Sequence, residues 1–191
     1  MSNTEHLAAV QAPATGRECG ACTMCCKVLR IAALQKPRDV WCVHCKPGKG
    51  CGAYDTRPAE CRDFFSGWIQ LSTLGPEWRP DRSKLVLAQE AGGGRFIVHC
   101  DPASPSAWRR EPFYSSFKTW IKRSEKKRLE IIVMTGKRVT LLTPEGEFDV
   151  GEGDDNTQIV FSYDAKGRLV KARLEPKPAV AGALPDVNAV S

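Results

Sequence analysis

Hydrophobic and polar positions alternate most regularly in the second half of the chain. The runs Leu85–Gln89 and Arg95–Cys100 lie on either side of three consecutive glycines, a pattern that predicts a β-hairpin. The runs EIIVMTG and RVTLLTP meet at Gly136-Lys137 and predict a second hairpin, and GEFDVGEG follows as another strand. QIVFSYDAKGRLVKARLEP predicts a third hairpin, whose turn is formed by residues 164–167. Most of the last third is therefore predicted to form antiparallel β-structure.

Between the first and second predicted hairpins the period changes to that of a helix. Four apolar residues recur there at i, i+4, i+7 and i+8 after a proline, which predicts one long amphipathic helix: Phe113, Phe117, Trp120 and Ile121. The other face, within residues 118–128, is basic and carries Lys118, Lys122, Arg123, Lys126, Lys127 and Arg128. We interpret it either as a solvated face of a helix docked on a sheet or as a weak surface for an anionic partner such as nucleic-acid phosphate.

The composition is that of a soluble globular protein. The 191 residues fit one domain, or one domain with a small appended module, and 42% hydrophobic with 26% charged residues can supply a core. No run approaches the ~20 apolar residues of a membrane helix, and the first residues lack the basic and apolar regions of a secretory signal. A cytoplasmic location without membrane insertion is therefore expected. The net charge of +6 permits an anionic partner without requiring one.

Both ends of the chain lack a hydrophobic period. Residues 1–17 are Ala, Thr, Pro and Gly without a pattern and are predicted to be a disordered lead-in. Residues 176–191 return to Pro, Ala and Val and are predicted to be a disordered tail. Between them we expect a cysteine-rich metal-binding module at 18–70 and an α+β part with hairpins and the basic helix at 71–175.

Cysteines concentrate in the first third of the chain. Of nine, eight lie in one segment: Cys19, Cys22, Cys25, Cys26, Cys42, Cys45, Cys51 and Cys61. Three interpretations of this cluster compete: a disulfide framework, a redox dithiol site, or thiolate ligands of a metal. Structural disulfides are rare in a reducing cytosol, and an odd number of cysteines disfavours a closed framework. No βαβ pattern surrounds either Cys-x-x-Cys to suggest a thioredoxin-type site, so we develop the metal interpretation.

The spacing of these cysteines suits thiolate coordination. In Cys-x-x-Cys, present at Cys19–Cys22 and Cys42–Cys45, two sulfur atoms can reach one ion while the backbone turns between them. The first run, which ends at Cys26, holds more thiolates than one tetrahedral ion takes from one loop, so one or two ions are expected. Zinc, iron and Cu(I) all accept thiolates. An iron–sulfur cluster also stays open, held by the first run and one cysteine of the second.

The last cysteine of the cluster lies in a predicted helix. This short helix is predicted to start at residues 55–56, with Pro58 in its first turn and Cys61, Phe64 and Phe65 on one face.

His44, inside the second Cys-x-x-Cys turn, is a minority ligand candidate. His99 and Cys100 are adjacent in a predicted strand, so their side chains face opposite sides and do not serve one site. We interpret His99 as structural and Cys100 as a core thiol.

These residues also carry a resemblance to a known family. The pattern CxxCxxCC, then a Cys about nine residues before a second Cys, then Tyr-x-x-Arg-Pro-x-x-Cys-Arg-x-Phe, resembles the YkgJ-like cysteine-cluster family of zinc- or iron-chelating proteins. The resemblance covers roughly residues 19–66, and Cys45 departs from it, since an apolar residue is more usual there. The matching residues are Cys19, Cys22, Cys25, Cys26, Cys42, Cys51, Tyr54, Arg57, Pro58, Cys61, Arg62 and Phe64.

The resemblance implies a metal site rather than a particular activity. We expect Tyr54 to pack against the cluster. Arg57 and Arg62 would either offset the negative charge of a thiolate centre and donate N–H groups to sulfur, or be exposed arginines on a helix. Closed thiolate coordination suits a structural ion, because a catalytic zinc keeps one position open for water.

Together these observations predict an α+β protein in which a cysteine-rich metal-binding module packs with a small antiparallel sheet and one long helix. The expected function is the binding of zinc or iron by thiolates in a structural or chelating role. The expected binding partner is therefore the metal ion itself. One alternative is an iron–sulfur redox enzyme or electron carrier, and another is a zinc-stabilised nucleic-acid-binding module that uses the 118–128 face. No phosphate loop, Rossmann fingerprint, nucleophile elbow or zincin motif is present to assign an enzymatic reaction.

Overall fold

The computed structural model describes residues 16–89, 95–124 and 129–178. Its helices there are α1 (Met24–Val28), α2 (Ala59–Arg62), α3 (Gly67–Gln70), α4 (Pro80–Ser83) and α5 (Phe113–Arg123), with 3-10 turns at Ala32–Leu34, Pro76–Trp78 and Ala107–Arg109. Its strands are β1 (Cys45–Lys46), β2 (Gly50–Cys51), β3 (Leu85–Gln89), β4 (Arg95–Cys100), β5 (Glu130–Thr135), β6 (Arg138–Thr143), β7 (Gly146–Glu152), β8 (Thr157–Tyr163) and β9 (Leu169–Pro176). Most of the predicted disordered lead-in and tail lies outside the described residues.

Strands β3 to β7 form one five-stranded sheet in the order β3-β4-β5-β6-β7. The pairs β3–β4, β5–β6 and β6–β7 are antiparallel, which confirms the first two predicted hairpins and the strand after them. Strands β4 and β5 pair in parallel, so the expectation of an antiparallel sheet is wrong at this pair. The reason lies in the connection, because α5 and the turns before it form the kind of long crossover that parallel neighbours require. The overall class is α+β, as predicted.

Strands β8 and β9 form a separate antiparallel pair, which confirms the third predicted hairpin. Its turn is fixed by Asp164, whose Oδ1 accepts the N–H groups of Lys166 at 2.9 Å and Arg168 at 2.8 Å. Gly167 completes the turn at φ +72°, a backbone conformation that favours glycine. The local sequence therefore determines where this hairpin reverses.

Both faces of the five-stranded sheet carry apolar side chains that pack against other elements, since successive side chains of a strand point to opposite faces. One face, which includes Val98 and Val133, packs against α5 and the tryptophans around it. The opposite face, which includes Ile132 and Leu141, packs against the β8–β9 hairpin. At β3 this second face instead contacts α1, where Val86 packs against two apolar residues, Met24 and Val28. The first cysteine run is thus attached to the sheet through α1.

Helix α5 confirms the predicted apolar stripe over residues 113–123. Its buried side chains are Phe113, Phe117 and Ile121. Trp120 is half-buried and stacks on Trp78, with ring centroids 5.1 Å apart. Of the predicted basic face, Lys118, Lys122 and Arg123 are exposed, and residues 125–128 lie outside the described residues.

Ion pairs attach the cysteine-rich segment to the rest of the protein, and the two shortest are partly buried. Lys27 Nζ lies 2.6 Å from Oδ1 of Asp101, which follows β4, and the two side chains are 18% and 8% exposed. Arg38 Nε lies 2.7 Å from Oδ1 of Asp155, between β7 and β8, and its guanidinium also donates to the Gly153 carbonyl at 3.2 Å. The segment is therefore fixed by buried and half-buried charges as well as by apolar packing.

The helix predicted after residues 55–56 is shorter than expected. α2 follows Pro58 and ends at Arg62, so it carries Cys61 but neither Phe64 nor Phe65. The prediction that these phenylalanines share its helical face is wrong, because Phe64 instead packs on the cluster formed by α1 and β3. Tertiary burial overrides the local helical pattern here.

Candidate metal centre

Backbone hydrogen bonds bring the two cysteine runs together. The Cys22 N–H donates to the Cys19 carbonyl at 2.9 Å and forms the turn of the first Cys-x-x-Cys. The Cys42 N–H donates to the Cys26 carbonyl at 3.0 Å and joins the second run to α1. In the β1–β2 pair, Cys45 lies directly opposite Cys51. The turn-rich sequence between the runs therefore folds distant thiols into one region.

Cys26 is at the centre of one group of thiols. Its thiol contacts those of Cys25 and Cys45, and the contact with Cys25 together with burial raises its pKa. Burial, followed by the charge of Cys26, raises the pKa of Cys45 to about 11. Burial and the charges of Cys26 and Cys42 likewise raise the pKa of Cys61 to about 11, and Cys51 contributes to the same shift. Each of these thiols thus lies in the electrostatic field of the others.

Cys25 and the two remaining thiols line a small pocket. Cys19, Cys22 and Cys25 face it together with the apolar side chains of Phe64, Trp68, Ile69 and Val86. Burial and the charge of Cys22 raise the pKa of Cys19. Burial also raises the pKa of Cys22, although the thiol accepts backbone N–H groups from Met24 and Asp81. Three of the four thiols of the first run, all except Cys26, therefore line one largely apolar cavity.

A buried lysine that the sequence did not single out lies beside the cluster. Lys36 is 6% exposed, and its ammonium donates to the carbonyls of Lys27 and Pro37 at 3.0 Å each and to that of Leu29. Burial lowers its pKa, whereas the charges of Cys42 and Cys26 act in the opposite direction. A buried ammonium next to thiols favours an anionic cluster. In sequence it lies between Gln35 and Pro37, a context that does not distinguish it from an ordinary surface lysine.

Of the predicted outer residues, Arg57 lies beside the cluster. Its guanidinium stacks on the Tyr54 ring, 3.7 Å from the centroid, and its charge acts on the Cys19 and Cys51 thiols. Its Nε atom is buried without a hydrogen-bond partner. Arg62 is exposed and donates to the Arg57 carbonyl at 3.4 Å. Arg57 therefore has a buried donor available for a sulfur atom or an anionic centre, and Arg62 points to solvent.

Two of the other donor candidates, Cys100 and His99, lie on the sheet, and the third, His44, lies in the turn before Cys45. Cys100 is 1% exposed in the main core, with Sγ 3.2 Å from the Ser104 carbonyl. His99 lies on the opposite face of β4, where burial and the charge of Arg38 lower its pKa to about 4. Exposed His44 accepts the Gly52 N–H at its carbonyl, 2.7 Å away.

All nine cysteines lie within the described residues, and each is a free thiol. In the part of the chain that the structure describes, no three His, Cys, Asp or Glu side chains are arranged so that they hold an ion as they stand. The thiols instead approach one another in pairs around Cys26. Reduced thiols are nevertheless the donors that a thiophilic cation takes, and the buried charge of Lys36 and the unpaired Nε of Arg57 are suited to offset the charge of thiolates.

Searches against known proteins do not identify a relative. No protein family, curated protein or solved structure matches the chain. Over the described ranges, the helices are too short or too polar to cross a bilayer. The resemblance to the YkgJ-like family thus stays a prediction from the cysteine motif.

Proposed function

We propose that this protein is a cysteine-cluster metal protein, in which thiolates hold zinc or iron in a structural or chelating role. The observation that carries this proposal is the gathering of eight reduced thiols from two distant runs into one region. Such a density of thiols is what a soft cation requires and what an apolar core does not. The proposal agrees with the resemblance of residues 19–66 to the YkgJ-like family and with a cytoplasmic location.

The charges around the thiols support an anionic, metal-loaded centre. Four thiolates and a divalent cation carry a net negative charge, which a protein stabilises with nearby cations and N–H donors. Lys36 contributes a buried ammonium beside Cys26 and Cys42. Arg57 contributes a guanidinium beside Cys19 and Cys51. Without a bound cation, bringing these thiols to their ionised form would be costly, because each raises the pKa of its neighbours.

The test is to replace one cysteine of each run. Cys22→Ser and Cys61→Ser should each lower the metal retained per chain after a chelator challenge, and should lower the free energy of unfolding with it, because metal binding is coupled to folding. Cys100→Ser is the matched control, since it removes a thiol outside the cluster and should leave the metal content unchanged. Unchanged metal content in both cluster variants would contradict the ligand assignment.

The pocket at the first run favours iron–sulfur chemistry as a second candidate. Three cysteines spaced Cys-x-x-Cys-x-x-Cys line a cavity with apolar walls, and an iron–sulfur cluster is held by thiolates in such surroundings. We would expect a brown protein with visible absorption after purification without oxygen. A colourless protein that contains zinc and binds no iron with sulfide would exclude this candidate.

A further inference from the structure

We propose that Arg17 is a positioning residue for the first cysteine run, an inference that rests on the proposed function. The Arg17 guanidinium caps the C-terminal end of α3 and thereby holds one wall of the thiol pocket in place. This wall controls how readily a reagent or a metal ion from solution reaches the pocket thiols, Cys19, Cys22 and Cys25. Because Arg17 precedes Cys19 by two residues, one side chain fixes both the start of the run and the wall beside it.

The Arg17 side chain reaches backbone carbonyls that are 51 to 57 residues away in the chain. Nη1 donates to the Trp68 carbonyl at 2.6 Å, and Nη2 donates to the Leu74 carbonyl at 2.8 Å. Longer contacts, at 3.5 Å and 3.4 Å, reach the carbonyls of Leu71 and Ser72. Trp68 lies in the single turn of α3 and Leu71 directly follows that turn, and the last carbonyls of a helix have no partner within it. Arg17 therefore acts as a C-terminal cap supplied from a distant part of the chain.

Helix α3 forms part of the wall of the thiol pocket. Trp68 and Ile69 line the pocket together with Ser66, the residue before the helix. The N-terminal end of α3 is held by close packing on β3, since a Cβ atom at Gly67 would lie 2.7 Å from Cδ2 of Leu87. A single helical turn is not stable by itself in water. The position of α3 therefore depends on packing at its first residue and on Arg17 at its end.

The indole ring of Trp68 receives a further contact from Arg17. The guanidinium carbon of Arg17 lies 4.9 Å from the ring centroid, and that of Arg79 lies 5.9 Å from the same centroid. Both cations are attracted by the negative face of the indole ring. Arg79 Nε in turn lies 3.0 Å from Oδ1 of Asp81, whose backbone N–H donates to the Cys22 thiol. Trp68 therefore connects the start of the first cysteine run with the segment that contacts Cys22.

Loss of this cap should open the pocket locally rather than unfold the protein. Trp68 packs at the margin of the main core, whose centre is formed by α5 and the sheet and does not depend on Arg17. A short segment that loses its tertiary contacts opens at a lower free energy than the core. We therefore expect the pocket thiols to react faster without Arg17, whereas a thiol in the main core should react as before.

Alkylation of metal-free, reduced protein tests this inference without a bound ion. The protein is treated with iodoacetamide for increasing times, and the modification of each cysteine is measured by peptide mass spectrometry. Arg17→Ala should raise the rates at Cys19, Cys22 and Cys25 about three- to tenfold, because hydrogen bonds from a charged group are lost. Cys100, which is 1% exposed in the main core, reports global unfolding, and its rate should not change.

Two further variants complete the comparison. Arg17→Lys keeps the charge but not the planar fork of donors, so its rates should lie between those of Arg17→Ala and the wild type. Arg173→Ala removes an exposed arginine that pairs with Glu175, and it should leave every rate unchanged. Arg17→Gln replaces Arg17→Ala if far-ultraviolet circular dichroism shows that the latter does not fold, and the same selective increase is expected.

The outcomes separate this inference from the proposed function. Pocket thiols that react within about twofold of the wild-type rate in folded Arg17→Ala, or an equal increase at Cys100, would overturn the positioning role. In zinc-loaded protein, a chelator should remove the ion from Arg17→Ala faster than from the wild type, and equal rates would overturn the link between Arg17 and the metal centre. A wild-type chain that binds no zinc or iron would overturn the proposed function, whereas a selective increase in alkylation would still support the role of Arg17 at these thiols.

Discussion

The Lys27–Asp101 ion pair connects the first cysteine run to the end of β4, and its removal has a calculable cost. Lys27 Nζ and Asp101 Oδ1 are 2.6 Å apart, with side chains 18% and 8% exposed. Asp101 Oδ1 also accepts the Ala103 N–H at 3.0 Å, so the carboxylate keeps one donor when the lysine is replaced. Lys27→Met preserves most of the side-chain length and removes only the charged end.

The expected magnitude follows from this burial. Exposed ion pairs contribute about 0–1 kcal/mol, whereas removing one partner of a buried pair costs about 3–5 kcal/mol. Because the pair lies nearer the buried limit and Asp101 keeps a hydrogen bond, we expect Lys27→Met to lower the free energy of unfolding by about 2–3 kcal/mol. The loss arises mainly from the carboxylate that is left buried without a counter-charge.

Urea unfolding followed by tryptophan fluorescence measures this effect, in the protein as purified and after chelation. The double variant Lys27→Met/Asp101→Asn should be more stable than the sum of the single changes predicts, by about 1–2 kcal/mol, because it removes the unpaired carboxylate. Arg173→Met breaks an exposed pair with Glu175 and is the matched control, for which we expect no measurable change. A loss below about 0.5 kcal/mol for Lys27→Met, or strict additivity in the double variant, would refute the reasoning.

Two further predictions concern the sheet. Phe117→Ala should lower the free energy of unfolding by about 3–5 kcal/mol in thermal or urea unfolding, because Phe117 is fully buried between α5 and the sheet; a loss below about 1 kcal/mol would show that this core is not packed as described. Burial and Arg38 lower the pKa of His99 to about 4 from its ordinary value of 6.5, so the unfolded chain takes up that proton first as the pH falls. Stability should therefore decrease from about pH 6.5 to about pH 4, and His99→Gln should flatten this part of the profile, whereas an unchanged profile would contradict the assigned environment.

The hairpins could be predicted from the sequence because the residues that determine each strand and turn are close together in the chain. The alternation in β5 and β6 and the Asp164 turn depend on residues a few positions apart. The parallel pairing of β4 with β5 depends instead on how α5 packs across the sheet, and no short motif contains that information. Phe64 is a similar case, since its burial against α1 and β3 overrides the helical spacing from Cys61.

The sequence identifies the candidate thiols of the site but not the residues that surround them. The motif alone predicts that the cysteines from Cys19 to Cys61 form one cluster. The burial of Lys36 requires three backbone carbonyls that the fold supplies. The apolar wall beside Cys22 includes Val86, which is far away in sequence.

The most direct test of the central claim is the metal content of protein purified without oxygen and without a metal-affinity column. Elemental analysis and a visible spectrum should be combined with a count of reactive thiols before and after chelation. We expect about one to two zinc or iron ions per chain, with the cluster thiols protected until the metal is removed. Protein that contains no metal above background and whose cluster thiols all react at once would contradict thiolate metal binding.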